Sequence, residues 1–171
     1  MSGHTSLCQT GSRQTGSRQI KQHNIRPAQP ADVSSLAAID SLVNPSPWRP
    51  GQFEQACSEP CEAGESALVL EEGGTVCGFI VFSLVLDEAC IHNVAVHPGQ
   101  QGKGLGRSLV AAALERLQRE NVRRCLLEVR ESNVAARGLY QALHFQLDGV
   151  RKNYYATAGG RENALLMSRQ L

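Results

Sequence analysis

Glu128 is the residue of this chain most in need of a chemical reason. It is a lone carboxylate in Cys125-Leu126-Leu127-Glu128-Val129, an otherwise apolar run, and a charge on a buried strand is expensive unless it is paired or used. Two readings stand: a proton acceptor, or a glutamate held in a structural ion pair by Arg123 or Arg130. Upstream, residues 92–108 (HNVAVHPGQQGKGLGRS) carry the second chemical feature. Residues 91–96 are apolar and partly β-branched and stop at His97-Pro98, the pattern of a buried strand ended by a turn. The later half runs into an amphipathic helix. Between them, Gln101-Gly102-Lys103-Gly104-Leu105-Gly106 places glycines where the backbone must turn tightly and leave its N–H groups uncovered. A loop of this kind opening a helix binds anions, because the first-turn amides have no intrahelical partners and the helix dipole adds positive potential. The ligand to expect is a phosphate.

Three glycine-rich patterns compete for this segment. A Walker A loop fails, since His97 stands where its first glycine belongs and Gly104 follows Lys103. A dinucleotide fingerprint would begin directly after the strand, yet a turn intervenes and its third slot holds Arg107. Glu128 follows at about the distance of a ribose-binding acid, which keeps that reading as a rival. The third pattern is Gln or Arg, two residues, Gly, one residue, then Gly or Ala. It is met by Gln101, Gly104 and Gly106, and it resembles the coenzyme A pyrophosphate loop of the GNAT N-acetyltransferases.

Composition bounds the remainder. A chain of 171 residues with 42% apolar content supports one domain, burying roughly 70% of the surface its unfolded form exposes. Seventeen Lys and Arg against sixteen Asp and Glu imply no broad electrostatic patch for nucleic acid or anionic membrane. No apolar run approaches the roughly eighteen residues of a membrane span and the N-terminus has no signal-like apolar region, so a cytoplasmic protein is expected. The six cysteines (8, 57, 61, 77, 90 and 125) read as reduced thiols, several inside apolar runs. Cys57 and Cys61 resemble half a metal site, but no second ligand pair follows at zinc-like spacing, so no metal is expected.

In chain order, residues 9–18 repeat Gln-Thr-Gly-Ser-Arg with almost no apolar content, so residues 1–22 are expected to be a disordered leader. Residues 24–28 read as a strand. Pro30 and Asp32 then open a helix with Val33, Leu36, Ala37, Asp40 and Val43 on neighbouring turns, ending at Asn44-Pro45. Pro47-Trp48-Arg49-Pro50 leads a short second helix carrying Phe53, and Trp48 is either a core plug or the wall of a substrate groove. A hairpin over 67–71 and 76–86 and a strand over 89–96 lead to the glycine loop. A helix from Leu105 to about residue 121 precedes a strand over 123–129, which must therefore run parallel to the preceding strand. Asn133 caps a helix with Ala136, Leu139, Tyr140 and Leu143 on one face, and Gly138 inside it marks a possible close approach. Strands over 145–155 and 163–171 close the sheet around Gly159-Gly160.

Asn133, Ala136, Leu139 and Tyr140 also match the second GNAT signature. The chain more narrowly resembles the bacterial branch that acetylates the N-terminal alanine of a small-subunit ribosomal protein. That likeness is carried by Pro47-Trp48, Leu86-Asp87-Glu88-Ala89, Asn93-Val94-Ala95-Val96, Leu127-Glu128-Val129-Arg130, Asn153-Tyr154-Tyr155 and Gly160-Arg161-Glu162. One departure is His144, where the family usually has glycine; histidine tolerates positive φ better than most residues. The resemblance implies an α/β (α+β) GNAT domain over residues 23–171, with a central mixed, mostly antiparallel sheet flanked by about four helices.

The resemblance also implies acetyl-CoA as co-substrate and a role for each candidate residue. Glu128 would accept a proton from the amine and Tyr140 would protonate the departing thiolate. Val94, Ala95 and Val96 would offer backbone donors to the thioester and pantetheine. Gln101, Gly102, Lys103, Gly104, Leu105, Gly106 and Arg107 would hold the pyrophosphate, with Asn133 and Tyr140 closing the coenzyme side. A ribosomal protein N-terminus is the expected acceptor. Acidic Asp87 and Glu88, and aromatic Trp48, Tyr154 and Tyr155, are candidates to line its groove. The expected molecule is a monomer or weak dimer. Other readings are a GNAT enzyme acting on lysines or a small amine, and a coenzyme A-binding sensor without catalysis.

Overall fold

A computed structural model describes residues 23–58 and 64–171. The expected leader and Cys61 lie outside them. Seven strands form one sheet in the order β1-β2-β3-β4-β5-β7-β6. They are β1 (His23–Pro27), β2 (Glu65–Glu72), β3 (Thr75–Val85), β4 (Glu88–Val96), β5 (Arg124–Arg130), β6 (Gln146–Thr157) and β7 (Gly160–Gln170). Among the described residues four α-helices complete it: α1 (Val33–Val43), α2 (Pro50–Ala56), α3 (Leu105–Arg119) and α4 (Val134–Ala142).

The period-two alternation of β3 explains the layering, because a strand buried on both faces must be apolar throughout. Ile80 and Phe82 point into a core shared with Leu109, Val110, Leu114 and Leu117 of α3. Phe79 and Val81 point the other way, against Leu36 and Ile39 of α1 and Phe53 of α2. Residues such as Phe53, Phe79, Ile80 and Leu109 are fully buried, each contributing about 1.5–3 kcal/mol relative to exposure.

The pairings β2·β3 and β3·β4 are antiparallel and β4·β5 is parallel, as the intervening helix requires. The final hairpin forms too, but β7 inserts between β5 and β6, an order that strand patterning does not encode. Residues 30–32 form a separate 3-10 turn before α1. His144 has φ 64, so the left-handed conformation that the sequence reading allowed for at this position is present. Gly138 departs from expectation: a Cβ built there meets nothing within 4 Å, so no close backbone approach explains it. No helix among the described residues is long and apolar enough to cross a membrane.

Candidate active site

The site begins with an irregularity in β4. Val81 pairs with Asn93 and Phe82 with Ile91, which leaves His92 as an extra residue opposite β3. A bulge bends its strand and re-aims the residues beyond it. Accordingly β4 pairs with β5 only from Glu88↔Arg124 to Ile91↔Leu127, and past that point the two strands part. The edge of β4 after Ile91 that faces the gap has no strand partner, and its polar backbone groups need one from a ligand or water.

On one side of the gap lies a cavity of about 570 Å³. Val94, Ala95 and Val96 form one wall, the loop residues Gln101, Gly102, Gly104, Leu105, Gly106 and Arg107 its end, and Asn133, Ala136, Leu139 and Tyr140 the other wall. Gly104 is the N-cap of α3 at φ 79 and ψ 5, a left-handed cap with no side chain over the first-turn amides. At Gly106 a Cβ would come within 3.1 Å of Leu139 Cδ1, so glycine lets α3 and α4 approach at the cavity mouth. Gln101 braces the loop from behind, its Nε2 donating to the Val96 carbonyl at 3.0 Å. Lys103 is placed differently from the other loop residues: it is not part of the lining, and its ammonium donates to Gln100, which in turn donates to Glu72. Asn133 is first of all a helix cap, its Oδ1 accepting from the Ala136 N–H at 3.0 Å. These uncovered amides at the start of a fifteen-residue helix fit a pyrophosphate.

A second cavity of about 480 Å³ lies on the other side, and the two share Val43, Val94, Asn133, Ala136 and Tyr140. Trp48 of the α1–α2 turn, Glu128 of β5 and Tyr154 and Tyr155 of β6 line this second space. Glu128 lies on the face of β5 opposite buried Leu127 and Val129, so it opens into the cavity rather than into the core. Its Oε1 accepts from Arg151 Nη1 at 2.7 Å, and that guanidinium sits 3.9 Å over the Tyr154 ring. The ion-pair partner is therefore Arg151, not Arg123 or Arg130. Arg130 instead donates to Glu162 at 2.6 Å and stacks 4.2 Å over Tyr155.

Tyr140 separates the two cavities from α4. Only 8% of it is exposed, and burial pushes its phenol up to about 12. The hydroxyl is thus protonated across the neutral range and available as a donor. Free Cys57 and Cys125 are pushed up by burial to about 11 and about 12, so neither is a thiolate at neutral pH. Among the described residues no group of three or more His, Cys, Asp or Glu is arranged to hold a metal.

Asp87 and Glu88 are not in this site, contrary to the sequence expectation. They occupy the β3–β4 turn and the first position of β4, about 20 Å along the strand from Val94. There they pair with Arg123 and Arg124, each at 3.7 Å. Adjacency in sequence placed them near the correct strand but did not reveal which of its ends parts from β5. Glu162 is committed to the fold: the Ser132 hydroxyl and the Arg130 guanidinium hold its carboxyl below the usual range. Sequence reading gave no site role to Val43, His92, Asn93 and Arg161, which line the cavities, although Asn93 and Arg161 lie in segments that carry the family likeness. It placed Asp40 on the stripe of α1 without giving it a role, although a carboxylate among Leu36, Ala37 and Val43 was a legible signal.

A strand bulge that splays a parallel pair, a glycine-capped helix, a phenol where two cavities meet and an acid lining one of them define an acyltransferase-type cleft. The family model for the GNAT acetyltransferases matches residues 33–145, and the chain belongs to that family. Within it, the chain is similar to RimI-type enzymes. It is 42% identical over 143 residues to ribosomal protein bS18-alanine N-acetyltransferase of Salmonella typhimurium, covering 80% of this chain and 97% of that one. Against the enzyme of the same name from Escherichia coli K12, identity is 36% over 139 residues, covering 80% and 90%. The crystal structure of the Escherichia coli ribosomal-protein-S18-alanine N-acetyltransferase superposes with a TM-score of 0.81 at 33% identity, over 87% of this chain and 94% of that one.

Proposed function

We propose that this enzyme transfers the acetyl group of acetyl-CoA to the α-amine of a protein N-terminal alanine, the acceptor being a bS18-type ribosomal protein. The observation that carries the reading is the meeting of two cavities at Tyr140, one ending in a phosphate-type amide cradle and the other opening onto Glu128. The bS18-alanine acetyltransferases similar to this chain supply the identity of the acceptor. Acting on a ribosomal protein implies the cytoplasm.

The chemistry is set by the residues. An α-amine of ordinary pKa near 8 is mostly protonated at neutral pH and must lose a proton to attack. The Glu128 carboxylate takes that proton, directly or through one water. The amine nitrogen then forms a bond to the thioester carbon while free backbone N–H groups on the gap edge of β4 donate to the carbonyl oxygen; one such donor is worth roughly 3 kcal/mol in the transition state. As the carbon–sulfur bond breaks, its electrons go to sulfur, and Tyr140 donates its hydroxyl proton toward it. A phenol near 12 is a weaker acid than a thiol with a pKa of roughly 8.5, so Tyr140 acts by hydrogen bonding to the departing sulfur; of the two protons the ammonium loses, the first leaves through Glu128 to solvent and the second, shed by the nitrogen after attack, ends on the sulfur to give the coenzyme A thiol. Cys57 and Cys125 are thiols rather than thiolates at this pH, which favours direct attack over an acetyl-cysteine route.

An acceptor panel tests the proposal. Coenzyme A release is expected with a peptide beginning Ala-Arg-Tyr, the basic and aromatic residues after the alanine being those that the resemblance to the ribosomal-protein acetyltransferases implies. It is not expected with the same peptide blocked at its α-amine and carrying an internal lysine, nor with spermidine. Turnover with lysine or polyamine, and none with the free N-terminus, would overturn the acceptor while leaving the acetyltransferase class in place.

A further inference from the structure

Asp40 is a fully buried carboxylate in α1, with 0% exposure, yet it borders the acceptor cavity. Three neutral amide donors converge on it: the Trp48 backbone N–H at 2.7 Å, Asn93 Nδ2 at 3.0 Å and Asn44 Nδ2 at 3.4 Å. Burying a carboxylate is costly, and hydrogen bonds to it are correspondingly strong. The donors come from two places that must be held in register for acetyl transfer. Asn93 lies on the splayed end of β4, one residue before the coenzyme wall begins at Val94. Trp48 is an aromatic wall on the acceptor side.

The turn between α1 and α2 has few other means of attachment. Pro45, Pro47 and Pro50 carry no N–H. The Ser46 N–H is used locally by Asn44 Oδ1 at 3.0 Å, and the Arg49 N–H by Gln52 Oε1 at 2.9 Å. The Trp48 N–H is the bond that fastens the turn back to the side chain of α1. The Trp48 ring then leans on Phe53 at 5.4 Å and remains half-buried, so its position depends on where its backbone is tied.

We propose that Asp40 is a positioning residue for the acceptor side, fixing Trp48 against the splayed strand through Asn93, and that it does so as a hydrogen-bond acceptor rather than as a charge. The inference rests on reading the second cavity as the acceptor groove, but its first test does not. Trp48 is the only tryptophan in the chain, so its fluorescence reports the wall without any substrate. Asp40→Leu has the same number of side-chain heavy atoms and removes both acceptors. It is expected to red-shift Trp48 emission and increase its quenching by acrylamide. Asp40→Asn keeps an oxygen for the Trp48 N–H, and its Nδ2 can donate to Asn93 once that amide flips; wild-type emission and quenching are expected.

In steady state, Asp40→Leu is expected to raise the KM for the Ala-Arg-Tyr peptide about tenfold while the KM for acetyl-CoA moves less than about threefold; Asp40→Asn is expected to restore both. Wild-type Trp48 fluorescence in Asp40→Leu would overturn the proposal, as would parallel rises in the two KM values. A defect in Asp40→Asn as large as that in Asp40→Leu would overturn the claim that acceptance rather than charge is what matters. If Asp40→Leu does not fold, Asn93→Ala is read in its place. It removes the donor through which Asp40 holds Trp48 against the splayed strand, so acrylamide quenching of Trp48 should increase and peptide KM should rise more than acetyl-CoA KM; wild-type quenching overturns the proposal, as does an unchanged ratio of the two KM values. Should the wild-type enzyme fail on the Ala-Arg-Tyr peptide, the acceptor reading fails, and the fluorescence comparison still decides the role of Asp40.

Discussion

Glu128→Gln is expected to lower kcat at pH 7 by about a hundred- to ten-thousand-fold, the usual range for a positioned general base, with acetyl-CoA affinity unchanged. The substitution is mild structurally. Gln keeps an oxygen to accept from Arg151, whose 2.7 Å bond ties β5 to β6, so the effect reports proton transfer and not collapse of the groove. The defect should shrink at pH 9, where an α-amine of pKa near 8 is deprotonated without help. Rates measured for both proteins at pH 7 and pH 9 check this, and an equal defect at both would assign Glu128 a structural role. Adding Tyr140→Phe to Glu128→Gln should cost less than the product of the two single effects, because both groups act on one transition state.

Gly104→Val is expected to weaken acetyl-CoA binding about a hundredfold or more. Two effects combine. Gly104 stands at φ 79 as the cap of α3, a conformation that a β-branched residue adopts only with strain. A side chain there would also cover amides left open for the pyrophosphate, and losing one or two charge-assisted hydrogen bonds is worth roughly 3 kcal/mol. Gly106→Ala should be far milder, since the one tight contact of its Cβ would be the flexible end of Leu139 at 3.1 Å, with Val96 Cγ2 at an ordinary 3.9 Å. Isothermal titration separates these outcomes; unchanged affinity in Gly104→Val would remove the loop from the coenzyme site.

The coenzyme half of this site was legible because its parts are local. Gln101, Gly104 and Gly106 share one loop, and Asn133 through Tyr140 share one helix turn pattern, so spacing alone brings each set together. Glu128 was legible as a misfit in an apolar strand. The acceptor half is assembled from α1 and the turn after it, β4, β5, α4, β6 and β7, and only Trp48, Tyr154 and Tyr155 declared themselves by size. Asp87 and Glu88 went astray because the location of the splay depends on an extra residue at His92, visible only once β3 and β4 are in register. Arg151 was overlooked as the partner of Glu128 because that contact requires β6 to lie beyond β7 with two register shifts.

The central claim is that both cavities are filled together and that the amine attacks the thioester directly across their junction at Tyr140. Initial velocities with acetyl-CoA and the Ala-Arg-Tyr peptide varied against each other test it most directly. Intersecting double-reciprocal lines, with no acetylated enzyme in the intact mass after acetyl-CoA alone, are predicted. Parallel lines accompanied by a stable acetyl adduct on the protein would contradict the account.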